Sequence, residues 1–467
     1  MRSEDPPKRA QRQVVLTARG VGCPTDCQRL HREWRDDTSR GSILVGARRP
    51  LDGPAIPVLP SRPGCHEDAP IRNLLVLALR RACTFLSSKV SVLTTMKTSS
   101  GKRRRVLRVG IIGCGYAAER LHLPALRSVP SVCPMAIADS DPERLRLVGD
   151  RFAIQRRYLD PEALLRDTEI DAVAVCVPPR AHAEIALAVL DAGRHLLVEK
   201  PLCLDLDDAD RLVERARSAP VAAMVGFNLR FHRHVRAARR ALEEGLIGPA
   251  ELVRTTWSGG LREQIGQPEW RRRRDLGGGV LNELAVHHLD LWRFLLGSEV
   301  AEVFASSRSE GRHDTKATIT ARLQTGALAV SGFCQGGAET HEIEVCGGRG
   351  RLVASLYRFD GLDLVPASTF PDGFGHRVWG LLRTARALPG AVPVALRGGD
   401  FLESYRAEWR HFAESALLGA PVESTLDDGR RALELVLATI HSAVTNRPVA
   451  VGGAPRRMAE VGCAGGQ

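Results

Sequence analysis

No run of apolar residues in this chain approaches the roughly 20 needed to cross a bilayer as a helix, so a helical membrane-spanning protein is excluded and no membrane partner is expected. The most apolar part of the first hundred residues, Leu74 to Leu79, is bounded by Arg72 and by Arg80 and Arg81. It is too short for a membrane helix and too far along the chain for a secretory signal. Net charge is also lacking over most of the length. The formal charge is +12, but residues 1–105 carry 21 Lys/Arg against 9 Asp/Glu, while residues 106–467 carry 45 of each. The body therefore has no charge excess of the kind that draws nucleic acid, and no nucleic-acid partner is expected. The eleven cysteines follow no pairing pattern, and several (Cys176, Cys334, Cys346) sit in apolar strand-like runs. Reduced thiols and a cytoplasmic location are the expectation. Cys23, Cys27, His31, Cys65 and His66 match no common zinc spacing.

Residues 1–104 are rich in Arg, Pro and Gly without periodicity, which predicts a disordered basic leader. Met96 opens M-K-T-S-S-G-K-R-R-R directly before the first strand-like run. That is the pattern of a natural start, with Lys102 to Arg105 as a solvated flank. The Gly-rich end, 453–467, is expected to be a flexible tail.

What the chain does have begins at Val106. Val106 to Ile112 is a short apolar run suited to a buried parallel strand. Gly113, Gly115 and Ala118 follow in the form G-x-G-x-x-A. The first glycine permits a tight strand-to-helix turn, and the second lets the backbone approach a pyrophosphate. The third small residue lets the helix pack on the strand. Asp139 ends the next apolar run, Val132 to Ala138, where a carboxylate binds the ribose hydroxyls of NAD and repels a 2′-phosphate. NAD is therefore the expected cofactor, with NADP as the alternative.

Strand and helix signals then alternate, as in a doubly wound parallel sheet. Asp141-Pro142-Glu143 and Asp160-Pro161-Glu162 are helix starts with Asp as cap. Asp171 to Val177 is a strand, Ala181 to Ala192 a helix stopped by Gly193, and His195 to Val198 a strand delivering Glu199-Lys200-Pro201. Ligands bind at the carboxyl ends of such strands. The cofactor contacts expected are Gly113, Gly115, Tyr116, Ala117, Ala118, Asp139, Pro178, Glu199 and Lys200. A nucleotide-binding domain over 105–225 and a second domain over 226–452 follow.

Together with the later Gly277-Gly278-Gly279-Val280-Leu281, the blocks C-V-P-P and H-A-E-I-A-L-A-V-L-D-A-G-R-H-L-L-V-E-K-P-L resemble one family. It is the glucose–fructose oxidoreductase, inositol dehydrogenase and rhizopine-catabolism (Gfo/Idh/MocA) family of NAD(P)-dependent oxidoreductases, and the resemblance covers roughly 106 to 450. It implies an α/β chain: an N-terminal Rossmann doubly wound parallel sheet, then an α/β domain with a large mainly antiparallel sheet. It also implies that Lys200 sits by the nicotinamide and the substrate hydroxyl. Asn228, Arg230 and Phe231 fall where the family carries substrate-facing residues.

In the second half, the helix starting near Val280 has an apolar stripe of Leu281, Leu284, Ala285, Leu291, Trp292 and Leu295. Glu283, His287 and Asp290 lie at i, i+4 and i+7, one above another on a different face. Two carboxylates there are expected to orient the histidine and raise its basicity. The family pattern has Asp where this chain has Glu283 and Gly where it has Ala285; its histidine donates or accepts the proton. No metal is expected at this triad, because Lys200 shares the pocket and repels a cation. Lys200, His287 and Glu283 are the expected catalytic residues. Asn228, Arg230, Trp270 and Asp290 are the expected substrate contacts, and the run Arg271 to Arg274 is either an anion grip or a solvated surface. Ala301 to Val365 alternates as antiparallel strands, whose free face in the family commonly joins a homodimer or homotetramer. Tyr405 to Leu418 and Asp427 to Ala443 are closing helices.

The function expected is hydride transfer between NAD(P) and a secondary alcohol or ketone of a sugar, cyclitol or related polyol. His287 would take the hydroxyl proton and Lys200 would stabilise charge on the same oxygen. The alternatives are a redox-neutral NAD-dependent glycosidase of the same fold and a non-catalytic nucleotide-binding regulator.

Overall fold

Short runs of β-branched and small apolar residues, each ended by Gly, Pro or Asp, become the strands of a first sheet. The computed structural model describes residues 105–259, 268–367 and 374–458, all within one compact unit. The basic leader, its cysteines and histidines and the Met96 start lie outside the described residues.

The first sheet is built from β1 (Leu107–Ile112), β2 (Val132–Ala138), β3 (Arg156–Tyr158), β4 (Ala172–Val175), β5 (His195–Glu199) and β6 (Ala223–Gly226), in the order β3-β2-β1-β4-β5-β6. All pairs are parallel. Between the strands run α1 (117–126), α2 (Pro142–Phe152), α3 (Pro161–Leu165), α4 (His182–Asp191) and α5 (Leu206–Ser218). The caps form as the sequence indicates: Asp141 accepts from the backbone N–H of Glu143 and Arg144, and Asp160 from that of Ala163. Strand order reverses between β1 and β4, which opens a crevice beyond their carboxyl ends.

The second half contains α6 (Arg233–Glu243), β7 (Ala250–Gly259), α7 (281–296), β8 (Val300–Glu310), β9 (His313–Leu323), β10 (Leu328–Gln335), β11 (Thr340–Gly347), β12 (Gly350–Ser355) and β13 (Leu362–Pro366). It ends with α8 (Phe374–Leu396), α9 (Gly399–Leu418), α10 (Leu426–Thr445) and β14 (Val449–Ala450). The sheet order is β13-β12-β11-β7-β10-β9-β8-β14. Every pair is antiparallel except β7 with β10. Alternation sorts the faces: Ala317, Ile319, Ala321 and Leu323 of β9 are buried, while Lys316, Thr318, Thr320 and Arg322 are exposed. Helix α10 packs on β8 and α7, covering one face.

The sequence reading names no helix at α6 or α8, and two elements that it does name depart from it. Helix α9 begins six residues earlier than its amphipathic pattern indicates. It returns to the first half, packing Tyr405, Trp409 and Phe412 into the core beneath β1 and α1. The expected flexible tail is pinned over its described part, 453–458. Leu206 N–H donates to the Arg456 carbonyl at 2.8 Å, Arg456 pairs with Asp207 at 2.8 Å, and Met458 is buried. Two arginines facing the acidic first turn of α5 supply the attraction that the glycine content conceals.

Candidate active site

The turn after β1 shows why its residues are small. Gly113 has φ +94°, and a Cβ there would lie 2.7 Å from the Cys176 backbone, so only glycine passes. Gly115 has nothing within 4 Å of where a Cβ would sit, leaving open space above its backbone. Ala118 is fully buried and lets α1 pack on β1; it does not line the cavity, so its expected cofactor contact is corrected to a packing role. Asp139 closes the turn, its carboxylate accepting from the backbone N–H of Cys114 at 2.7 Å and of Asp141 at 2.9 Å.

A cavity of about 1710 Å³ begins here, lined by Gly113, Gly115, Tyr116, Ala117, Asp139, Pro178, Glu199 and Lys200. It exceeds the roughly 300–1,000 Å³ of a single small-ligand site and suits a dinucleotide with a second ligand. The open space over Gly115 and the carboxylate at the end of β2 fit the pyrophosphate and ribose of such a cofactor.

Beside that opening, Glu199 and Lys200 are held from both halves of the chain. The Lys200 ammonium donates to the backbone carbonyl of Glu283 at 2.7 Å. One oxygen of the buried Glu199 carboxylate accepts from the Lys200 backbone N–H at 3.1 Å; the other lies 2.8 Å from His122 Nε2. Trp409 Nε1–H, which can only donate, lies 3.1 Å from His122 Nδ1. Nδ1 is therefore the acceptor, and Nε2–H donates to Glu199. Burial would push the Glu199 carboxyl up, but the His122 hydrogen bond and the nearby Lys200 charge outweigh it, leaving it below its ordinary value. Burial lowers Lys200, opposed by the charges of Glu199 and Glu283. The His122–Trp409 support had no signal in the sequence, since its partners stand 287 positions apart.

Helix α7 changes the expected picture of the histidine. Asp314 of β9 accepts from the Leu281 N–H at 2.8 Å, and residues Leu281–Ala285 form a π-turn before regular helix resumes at Val286. A π-turn carries more residues per turn than an α-helix, so a face assigned by α spacing is not preserved across it. Glu283 and His287 both reach the cavity, but Asp290 does not. His287 Nδ1 is buried without a hydrogen-bond partner, and the residue lines the cavity. Its neighbours are rings, Phe227 at 6.3 Å and Trp257 at 5.7 Å between centroids. Burial and the Lys200 charge push it well below the ordinary imidazole value. The expectation of two orienting carboxylates that raise its basicity is thus corrected. Glu283 instead stands 3.5 Å from Arg271, whose guanidinium lies between the Trp270 and Tyr116 rings.

Three expected substrate contacts also prove to be internal. Arg230 grips Asp290 through two hydrogen bonds and reaches Asp428 and the Glu423 carbonyl. Asn228 donates to Ser404 at 2.9 Å. All three residues, Asn228, Arg230 and Asp290, are buried away from the cavity and tie the turn at Asn228–Phe231, α7 and the loop before α10 together. Trp270 does line it, as do Trp257, Asn282, Gln335, Glu339 and Tyr357, which the sequence reading missed. Asn282 opens α7, and the others sit in strands and turns of the second sheet. Among the described residues no group of three His, Cys, Asp or Glu is arranged to hold a metal ion.

Comparison with known proteins agrees with this geometry. Residues 107–227 match the family model described as an oxidoreductase family with an NAD-binding Rossmann fold, and residues 235–353 match the Gfo/Idh/MocA C-terminal domain. A myo-inositol 2-dehydrogenase of Thermotoga maritima is 30% identical over 353 residues, covering 73% of this chain and 98% of the relative. A D-apiose dehydrogenase of Rhizobium rhizogenes is 29% identical over 360 residues, covering 74% and 98%. The crystal structure of a probable dehydrogenase from Thermotoga maritima superposes with a TM-score of 0.61 at 28% identity, over 75% of this chain and all of that one. A glycine turn built for a dinucleotide, a Glu-Lys pair at the strand edge and these matches lead to one assignment: the chain belongs to the Gfo/Idh/MocA family of NAD(P)-dependent oxidoreductases.

Proposed function

We propose that this protein is an NAD-dependent dehydrogenase acting on a secondary alcohol or ketone of a neutral polyol, a cyclitol or cyclic sugar. The observation that carries this reading is the meeting of Lys200 from β5 and His287 from α7 on the cavity that begins at Gly113 and Asp139. The nicotinamide, when bound, supplies the hydride acceptor or donor. The chain's own residues handle charge and proton. The Lys200 ammonium donates to the reacting oxygen and stabilises negative charge as it develops. His287, kept neutral by burial, accepts the hydroxyl proton. Its weakened basicity is offset because the Lys200 charge makes that hydroxyl more acidic.

The lining favours a neutral substrate. Glu283, Glu310 and Glu339 face the cavity with Asn282 and Gln335, a set that accepts hydrogen bonds from many hydroxyls. Of the arginine run, Arg273 is paired with Asp275 and Arg274 with Asp314, both off the lining, while Arg271, offset by Glu283, and Arg272 line the cavity. Both relatives act, by name, on an uncharged polyol or sugar. NAD is preferred over NADP because the Asp139 carboxylate is fixed by two backbone N–H groups where a 2′-phosphate would stand. Arg144, 3.9 Å from Asp139, is 3.5 Å from Asp141 and so brings no uncompensated positive charge. The exposed face of the second sheet is proposed as the contact of a homodimer or homotetramer.

A thermal-shift screen of inositols, sugars and nucleotide sugars, each with NAD+ or NADH, tests the reading, followed by NADH release from the hits. A neutral polyol should raise the melting temperature and release NADH in stoichiometric amount. Product formation with no net NADH would make the protein a redox-neutral glycosidase. Binding of sugar and cofactor with no turnover at all would make it a regulator.

A further inference from the structure

Helix α8 carries an apolar face that nothing else in the described structure covers. Among its described side chains, every exposed residue from Val378 to Leu396 is apolar or glycine except Arg386. Leu381, Ala385, Leu388, Val392 and Leu396 recur three or four residues apart, which aligns them in one stripe. Leu381 is 73% exposed and Leu396 82%. The opposite side is the one that packs: Ala391 is buried, Thr384 donates to Asp360, and Arg383 pairs with Asp363 of β13. Residues 373–399 contain four arginines and no acidic residue.

We propose that α8 lies flat on an anionic lipid surface, its leucines in the acyl boundary and the exposed Arg386 and Arg397 at the headgroups. Two quantities select this occupant. The stripe from Leu381 to Leu396 is about 24 Å long and about 10 Å wide, roughly 240 Å², well under the roughly 800 Å² per partner of a stable protein interface. Pairing with a second copy would also bring two acid-free, arginine-bearing helices together. The chain's own first 105 residues, with 21 basic against 9 acidic side chains, are repelled by the same charge. They are drawn instead to the same anionic surface. No described helix is long and apolar enough to cross a membrane, which agrees with a helix lying on one.

The test is flotation of the full chain with vesicles of phosphatidylcholine alone and of phosphatidylcholine with phosphatidylglycerol. The parent should float with the anionic vesicles, less so at high salt. The double variant Leu381→Glu/Leu396→Glu should bind at least tenfold more weakly with an unchanged melting temperature, because both side chains are exposed. Three results would overturn the proposal. The parent fails to float with either vesicle; or the double variant floats as well as the parent, which assigns the attraction to the basic leader. In the third, neither floats while light scattering shows that the double variant splits a parent dimer, which makes α8 an interface between copies.

Discussion

The two walls of the cavity are made in different ways. On the Rossmann wall, backbone does much of the work: a glycine turn, an aspartate fixed by N–H groups, and Lys200 at a strand end. Each of these follows from a short local run. On the opposite wall, side chains do the work, and they come from α7, β7, β10 and the turn after β12. What separates the walls is contact distance along the chain. The lysine that belongs to the first wall donates to the Glu283 carbonyl of the second, 83 positions on, so the proposed chemistry falls at the seam.

Lys200→Met breaks the seam and should have the largest effect. It removes the ammonium proposed to stabilise the reacting oxygen, so kcat should fall about 10²–10⁴-fold. NAD affinity should change little, because turn and ribose contacts remain. Turnover assays with cofactor titration check both; a loss confined to NAD binding would place Lys200 on the cofactor alone.

Asp290→Ala asks whether a predicted substrate contact belongs to the wall or to its foundations. It leaves the buried Arg230 without its bidentate partner, which should destabilise the fold by roughly 3–5 kcal/mol. Where the variant remains folded, KM should stay within a few fold of the parent. A raised KM with unchanged melting temperature would restore Asp290 to the substrate site.

Acid should weaken the second wall first. Burial lowers His287, His288 and His341, with His288 pushed down to about 3, and Trp257 stacks on His341 at 4.2 Å. The unfolded chain takes up protons near the ordinary value of 6.5 while the folded one does not. Stability is therefore present above about pH 6.5 and lost as pH falls toward the folded values, by about 1.4 kcal/mol per pH unit for each proton withheld. Glu408, buried without a partner and pushed well above its ordinary value by burial and Glu199, opposes one of these. Melting temperature should drop steadily between pH 6.5 and 4.5; a flat profile would show that the imidazoles are reached by water.

Trp409→Phe is the mildest change and joins the walls from behind. It keeps a ring in the core but removes the donor that fixes the His122 tautomer. The loss of one hydrogen bond is worth about 1 kcal/mol. The alkaline limb of the kcat profile should shift to lower pH as Glu199 loses its hold beside Lys200. A stability change without that shift would leave the tryptophan a purely structural residue.

Much of the first wall was legible. Gly113, Gly115 and Asp139 stand in the order their chemistry requires, and the Asp caps of α2 and α3 formed as read. Ala118 packs as the motif's third small residue is read to do, and only its expectation as a cofactor contact falls, since it does not line the cavity. The second wall was legible only where it was local. The α7 stripe and His287 were found, but the π-turn and the Asp314 contact that sets it come from β9, 33 positions away. That is why Glu283 and Asp290 were read as sharing a role with His287. Asn228 and Arg230 were read as polar groups awaiting a ligand because their partners, Ser404, Asp290 and Asp428, are distant in sequence. The exposed stripe of α8 was not noticed, since its leucines look like any core-facing helix until the packing is known.

The central claim is that Lys200 and His287, one from each wall, act on a single substrate oxygen. The direct measurement is a double-mutant cycle on kcat with Lys200→Met, His287→Gln and the combination, using the polyol that the screen identifies. Each single variant should lose about 10²–10⁴-fold, with NAD affinity hardly moved in the histidine variant. The double variant should lose far less than the product of the two, because groups that act as a unit are not additive. Fully multiplicative losses, or a His287→Gln variant within a few fold of the parent, would contradict the account.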